Sequence, residues 1–523
     1  MRSATDPNER PEEWGLAQDA DLTVTAGAPS GNGEIDLAAV FDTAEIGVDG
    51  MRATRESSDG VLRIEDAAAL NNGPGVVAGS DDDRSWVVLQ GGLFLPDAPN
   101  EPTPADDTVV FRDGTQALGG GGTSAFDVES LTVSSAGGLS VTQQIVDSIT
   151  GAAELVFEAG RLTEGLDSAG RGTLTVDPGL TIQAGEELRL LAAAYGFGTL
   201  DFSGAGITLA ADAIELRAGA GEDSDNTDPD DRALIQGLQA NVTLQDAAGG
   251  TFGDAASTAT AFTYRQDATI DGEADLPDLA QFGLAPATGF RDTGDLAYTV
   301  RSDAGQVVLD DDTPGTNEGD RFRNASLSLF GLEASGNRAI QVSDEFSFVG
   351  KRVELGGVAN FTFDQSLATA FNRSGTDADE AITLRAGIAT AGRLGFDRGG
   401  QPSVLVKAPT VNLVAGNGFE VTEETQFEST IDVRGARFDL AGPVGADQTF
   451  VYHTDSELDL DDLPDASQFV GGNAGLPDVL ALRTDLAAIE LDDFDATTLP
   501  LDLTDDPGRL VIEAESITLH HHL

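Results

Sequence analysis

Apolar residues recur at every second position in short runs along most of this chain, and glycine or alanine closes the runs. The pattern is clearest in Leu188–Gly221, LRLLAAAYGFGTLDFSGAGITLAADAIELRAGAG. There Ile207 and Leu209 alternate with small or polar neighbours, and Ile214 and Leu216 do the same after Ala211. Period-two alternation in runs this short predicts half-buried β-strands, because successive side chains of a strand point to opposite faces. The small residues between runs suit tight corners. Three or four strands are expected in this stretch alone.

The same signal extends in both directions. Residues 21–105 offer strands at Asp21–Ala26, Val61–Ile64 and Trp86–Leu89, followed by the proline-rich LPDAPNEPTPAD of Leu95–Asp106, the best candidate for a boundary. From Thr108 onward, runs at Ser130–Val133, Leu139–Val141, Leu155–Phe157, Leu174–Val176 and Leu180–Ile182 follow closely, with no long helical pattern between them. Such regularity predicts an all-β chain, as an elongated β-solenoid with acidic loop insertions or as tandem β-sandwich modules.

A long repeat supports the first of these. Phe262-Thr-Tyr264-Arg-Gln-Asp267 matches Phe450-Val-Tyr452-His-Thr-Asp455, and Asp275-Leu-Pro-Asp278 with Gln281-Phe282 matches Asp462-Leu-Pro-Asp465 with Gln468-Phe469. Ala213–Gly221 answers Thr410–Gly418 before these blocks, and Val300-Arg-Ser-Asp303 answers Leu482-Arg-Thr-Asp485 after them. The unit is about 190 residues, enough for several turns of a solenoid. The expected divisions are a disordered leader (1–20), an N-terminal β region (21–105) and two repeat blocks (106–315 and 316–505). A further repeat begins at 506–523, as if the chain were a piece of a larger fibre. Within the unit, strands end in Arg or His followed two residues on by Asp or Gly, at Val110, Phe262, Val300, Phe450 and Leu482. The expectation is an arginine paired with an aspartate beside a turn.

Composition narrows the function classes. The 523 residues carry 90 Asp and Glu against 29 Lys and Arg, a formal charge of −61. That charge opposes binding to nucleic acid or to anionic membranes, both of which require basic patches. The only lysines are Lys351 and Lys407. High aspartate with little lysine fits a halophile, a calcium-rich extracellular setting or a GC-rich genome. With no cysteine there is no disulfide, thiolate metal site or cysteine nucleophile. No run of 18 apolar residues occurs, and the opening residues lack the apolar core of a signal peptide.

Candidate chemistry is confined to carboxylates. The loop following Gly221 gathers Asp223, Asp225, Asp228, Asp230 and Asp231 into a short polar segment, and calcium takes six to eight oxygens from such groups. An EF-hand is excluded, since Asp228 stands where glycine is required and Leu234 where the bidentate glutamate belongs. Smaller clusters lie at Asp81–Asp83, Asp310–Asp312 and Asp459–Asp462. His453 is the only histidine outside the terminal His520–His522, and its counterpart in the earlier repeat is Arg265, which argues for a polar strand end over a catalytic base. No nucleophile elbow or dinucleotide fingerprint occurs. Paired aspartates for polysaccharide cleavage remain the one enzymatic reading, with Asp228, Asp230 and Asp231 as its acids. Asn-x-Ser/Thr sites occur at Asn241, Asn324, Asn360 and Asn372, with Asn360 expected to point outward from a strand.

The cadence Gly-x-Leu/Ile-x-Leu/Ile-x-Ala-x-x-Ile-x-Leu-x-Ala-Gly, at Gly206–Gly219, Ser403–Gly416 and Leu510–Leu519, resembles filamentous-haemagglutinin-like exoproteins. The resemblance implies a right-handed parallel β-helix exported to the bacterial cell surface for adhesion, biofilm or toxin delivery. The expected function is therefore a non-enzymatic extracellular structural or adhesive repeat protein. It would self-associate or contact surface components and glycans, with calcium as its one candidate ligand. A carbohydrate-active β-helix enzyme and a calcium-dependent surface-layer module are the alternatives.

Overall fold

In the computed structural model, the backbone is described before residue 128 for seven strands only: 22–26, 34–36, 51–55, 61–64, 86–91, 108–111 and 126–127. Beyond it the described residues are 130–135, 139–147, 149–150, 152–159, 171–192, 197–219, 233–252 without 240, 261–277, 281–282, 296–309, 326–333, 338–342, 352–363, 381–388, 391–396, 404–416, 429–440, 447–470 without 457, 460 and 461, 476–491 without 486, and 508–519. Among them secondary structure is nearly all parallel β, with only single helical turns such as Gln143–Asp147, Gly272–Asp275 and Ala466–Gln468. The chain divides into two compact units, the first formed by Met1–Asp267 with Ala280–Pro286, the second by Ala268–Leu279 with Ala287–Leu523.

One long sheet organises the first unit. Its strands follow chain order: Leu22–Ala26, Met51–Arg55, Trp86–Gly91, Ser130–Ser135, Glu154–Ala159, Glu187–Ala192, Ala213–Ala218 and Ala261–Gln266. Every pairing among them is parallel. Parallel neighbours need a crossover, and here shorter parallel sheets supply it. One stacks Leu139–Val141, Arg171–Val176, Phe197–Asp201 and Leu234–Gln236, and another stacks Thr181–Gln183, Ile207–Ala210 and Val242–Gln245. The stretch Leu188–Gly221, where three or four strands are expected, takes part in four strands belonging to three sheets.

The second unit repeats the scheme. Its long sheet holds Ala297–Ser302, Ser326–Gly331, Arg352–Gly357, Ala381–Ala386, Thr410–Ala415, Thr449–Thr454, Val479–Thr484 and Arg509–Glu513, again in chain order and parallel. Short sheets accompany it, among them Phe361–Phe363 with Arg393–Phe396 and Thr430–Asp432, and Val404–Lys407 with Ala436–Asp439.

Alternation converts register into a core. In the second unit Tyr298, Leu327, Val353, Ile382, Val411, Phe450 and Leu480 are paired in sequence along one inward column. All are buried. A phenylalanine stack fills the space towards the short sheets, running Phe361, Phe363, Phe396 and Phe438 with centroids 5.8 to 6.1 Å apart. Tilted and edge-on rings at these distances add attraction beyond burial. The last inward position of a strand faces a corner, where a large side chain has no room. It is alanine at Ala159, Ala192, Ala218, Ala386 and Ala415, or a polar residue that satisfies backbone. Ser302 donates to the Ala268 carbonyl, Thr454 to that of Ser429, and Gln266 accepts from Ile235 N–H and the Tyr264 hydroxyl.

The sequence repeat has a physical basis at two points. Gln281 Nε2 donates to the carbonyls of Leu238 and Val242, while Phe282 packs against Phe252 and Phe262. In the second unit Gln468 Nε2 donates to Val433 and Ala436, and Phe469 packs against Phe438 and Phe450. The glycine of each Ala-Gly closure is equally specific. Gly219 and Gly416 have φ of +87° and +105°, and a Cβ at either would overlap the carboxylate of Asp267 or Asp455, the aspartate ending the next long strand's motif. Glycine and aspartate recur together because each occupies space the other leaves.

Candidate functional site

With the inward faces spent on packing, the chemistry available to partners lies on the outward positions, which parallel register gathers into columns. On the long sheet of the first unit, Arg189 lies between strands bearing carboxylates. Its Nε is 2.6 Å from Glu215 and 3.8 Å from Glu187. Register sets Glu154 directly opposite Glu187. Burial raises the Glu187 carboxyl above its ordinary value; Arg189 opposes that rise, and Glu215 and Glu154 add to it. Burial alone would lower the Arg189 guanidinium, but Glu215, Glu187 and Glu158 outweigh it and raise it. Like charges facing each other across neighbouring strands are unfavourable, and Arg189 offsets that repulsion within this acidic patch.

In the second unit the arginines at strand ends take several partners. Arg301 pairs with Asp303 at 2.5 Å, the local Arg-x-Asp pairing expected from the motif. His453 instead reaches the next strand's aspartate, Asp485, at 2.9 Å, and Arg483 reaches Glu513 at 3.0 Å. Arg217, in the first unit, donates to the Gly219 carbonyl. The motif is therefore a strand-end cation that pairs either locally or one strand on. The Val110 copy lies outside the residues with described side chains. His453 is paired by register with Val414 and Arg483, and among the described residues it belongs to no cluster of three His, Asp or Glu side chains.

On the shorter sheets of the second unit, Asp432 accepts from Arg393 at 3.1 Å and from both Arg434 Nε and Nη2. The Arg434 side-chain hydrogen bond above all holds its carboxyl at about 2; burial, the next effect in size, opposes it, and the Arg434 backbone N–H, the Arg434 charge and Arg393 add to the lowering. Lys407 pairs with Asp439 across register partners at 3.3 Å. The Tyr452 hydroxyl donates to the Ile431 carbonyl, and burial, followed by Asp462 and Asp432, raises it far above the ordinary tyrosine value.

The calcium candidates Asp223, Asp225, Asp228, Asp230 and Asp231 lie outside the described residues, as do Asp81–Asp83, Asp310–Asp312, Asn324 and Asn372. Among the described residues no group of three or more His, Asp or Glu side chains is arranged to hold a metal, and no helix is long and apolar enough to cross a membrane. Asn241 donates to the carbonyls of Phe202 and Gly237, and Asn360 accepts from Arg393 N–H. Asn360 is exposed and stands immediately before its strand, where it joins one turn to the next.

A feature that residue-by-residue inspection overlooks is the contrast between the two units' short sheets. In the first, register stacks Thr181, Thr208 and Thr243 in one outward column, and Thr173 with Thr199 in another. Of the outward side chains described on those two sheets, only Asp201 is charged. In the second unit the outward positions include Asp271, Arg393, Lys407, Asp432, Arg437 and Asp439.

These parallel stacks define an all-β repeat protein. No family model, curated protein or solved structure matches the chain.

Proposed function

We propose that each of the two units is a right-handed parallel β-solenoid and that the chain serves as a non-enzymatic structural or adhesive component at the cell surface. The observation that carries this is the unbroken chain order of the long sheets. Within each unit every described long-sheet strand pairs in parallel with the next in sequence, and the short sheets follow the same order. An array of this kind needs only nearest-neighbour contacts and can be extended indefinitely. Its outward columns leave the backbone satisfied and the side chains free to vary, as suits a surface that contacts other molecules. The charge of −61 fits an exposed, soluble scaffold.

The test has two arms, both on the full chain. Solution scattering should give one constant cross-section along the particle; a beaded, flexible profile would refute the solenoid in favour of tethered sandwich modules. Incubation with neutral and acidic polysaccharides should release no new sugar ends. Release abolished by Asp228→Asn would replace the structural role with a carbohydrate-cleaving one.

A further inference from the structure

We propose that the short sheet formed by Thr181–Gln183, Ile207–Ala210 and Val242–Gln245 is a docking face for a neutral, extended polysaccharide. The proposal deepens the adhesive reading above and rests on it. Register places Thr181 opposite Thr208 and Thr208 opposite Thr243, with Gln183 and Gln245 in the flanking column. Ile182, Leu209 and Leu244 are buried behind them and the threonines face outward, Thr181 and Thr243 exposed and Thr208 half-buried. Gln183 is held in place by its donation to the Ala247 carbonyl at 2.6 Å.

Charge selects the occupant. In a chain of −61 a polyanion is repelled, and a polycation would be drawn to the carboxylates elsewhere rather than to a face whose own side chains are uncharged. What such a face offers is hydroxyls and amides, each able both to donate and to accept. The hydroxyls of a neutral glycan have the same dual character. Parallel strands repeat at about 4.8 Å, close to the length that one sugar ring adds to an extended chain, so successive rings laid across the strands meet successive threonines. The charged short sheets of the second unit lack this arrangement, so it is no general property of the fold.

The experiment is retention of the full chain on insoluble cellulose, chitin and β-1,3-glucan, with cross-linked pectate as the anionic comparison, at about physiological and at molar salt. The expected result is retention on at least one neutral polysaccharide at both salt concentrations. Thr208→Val with Thr243→Val keeps the β-branched shape that suits a strand and removes two hydroxyls, which should weaken retention about twenty- to thirtyfold. Thr181→Glu should abolish it, and serves as the second variant if the double valine lowers the unfolding midpoint. Thr362→Val, in the second unit, should leave retention unchanged. The proposal is overturned if no neutral polysaccharide retains the chain, if both sets of variants bind as well as the parent, or if retention is confined to pectate and lost in salt. New sugar ends released during these incubations would refute the non-enzymatic reading instead, whatever the retention.

Discussion

Replacing Gly416 with alanine tests the account of the repeat at its most specific point. The residue sits at φ +105°, outside the region that residues with a Cβ occupy at ease, and the new methyl would meet both carboxylate oxygens of Asp455. Backbone strain of this kind costs about 1–3 kcal/mol. Moving a short aspartate side chain off its site adds about 1 kcal/mol. A total of about 2–4 kcal/mol is therefore expected. The two contributions separate in a double-mutant cycle. Asp455→Ala in the Gly416→Ala background should restore about 1 kcal/mol, because the obstructing atoms belong to the carboxylate, while the backbone strain remains. Because two units complicate a single unfolding transition, the assay is native-state hydrogen exchange of the amides in Thr410–Ala415 and Thr449–Thr454. A loss below about 0.5 kcal/mol, or no coupling with Asp455, would refute the steric account. Gly219→Ala with Asp267→Ala should give the same result in the first unit.

Asp432 has a folded pKa of about 2, below its ordinary value, so its ion pairs stabilise the fold above the carboxylate range and that contribution is lost as pH falls through about 4 to 2. Discounted for solvent screening, Asp432→Asn should cost about 0.5–1 kcal/mol at neutral pH, and the gap in unfolding midpoint between variant and parent should close by pH 2; a gap independent of pH would contradict the pairing. Gln468→Leu strips the Val433 and Ala436 carbonyls of their side-chain donor and should destabilise the second unit by about 1–3 kcal/mol in denaturant titrations, whereas Gln468→Glu should recover at most the hydrogen bond accepted from Asp465 N–H, since an ionised carboxylate cannot donate. If Asp223, Asp225, Asp228, Asp230 and Asp231 hold calcium, as expected from the sequence, calcium at a hundred times its Kd should stabilise the full chain by about 2.7 kcal/mol over chelator at fixed ionic strength. Equal stabilisation by sodium, or an undiminished calcium effect in Asp225→Asn with Asp228→Asn, would assign the loop to charge screening.

The strands were legible in the sequence because alternation such as Ile214–Leu216 leaves little choice of conformation, and the repeat was legible because Gln281-Phe282 and Gln468-Phe469 do the same work in each unit. Parallel pairing was not fixed by alternation, which is identical in a parallel strand and in a one-sided antiparallel strand; it follows only from the order in which strands return to a sheet. Outward positions misled in places. Leu191 and Val414 occupy outward positions yet are buried, at 5% and 7% exposure; register sets Glu158 and Arg217 on either side of the first, and Arg385 and His453 on either side of the second. The His453 ring pairs across strands with Asp485, at a sequence distance no local motif reveals. The threonine columns were invisible for the same reason. Thr181, Thr208 and Thr243 are unremarkable singly and become a row only once register is known.

Paired long-sheet strands lie at very unequal sequence distances. Glu187 and Ala213 are 26 residues apart, whereas Ala213 and Ala261 are 48 apart, yet both pairs align over six residues. Closing the longer excursion adds only about 0.5 kcal/mol of chain entropy relative to the shorter. Length outside the strands is thus almost neutral to the scaffold. Insertions can accumulate, be exchanged or be deleted in the loops at a rate set by what they contact, while the six-residue strands change only as fast as their packing permits. A library of foreign peptides grafted into the excursion between Ala218 and Ala261 should be tolerated on the same grounds, which makes the stack a display framework as well as a fold.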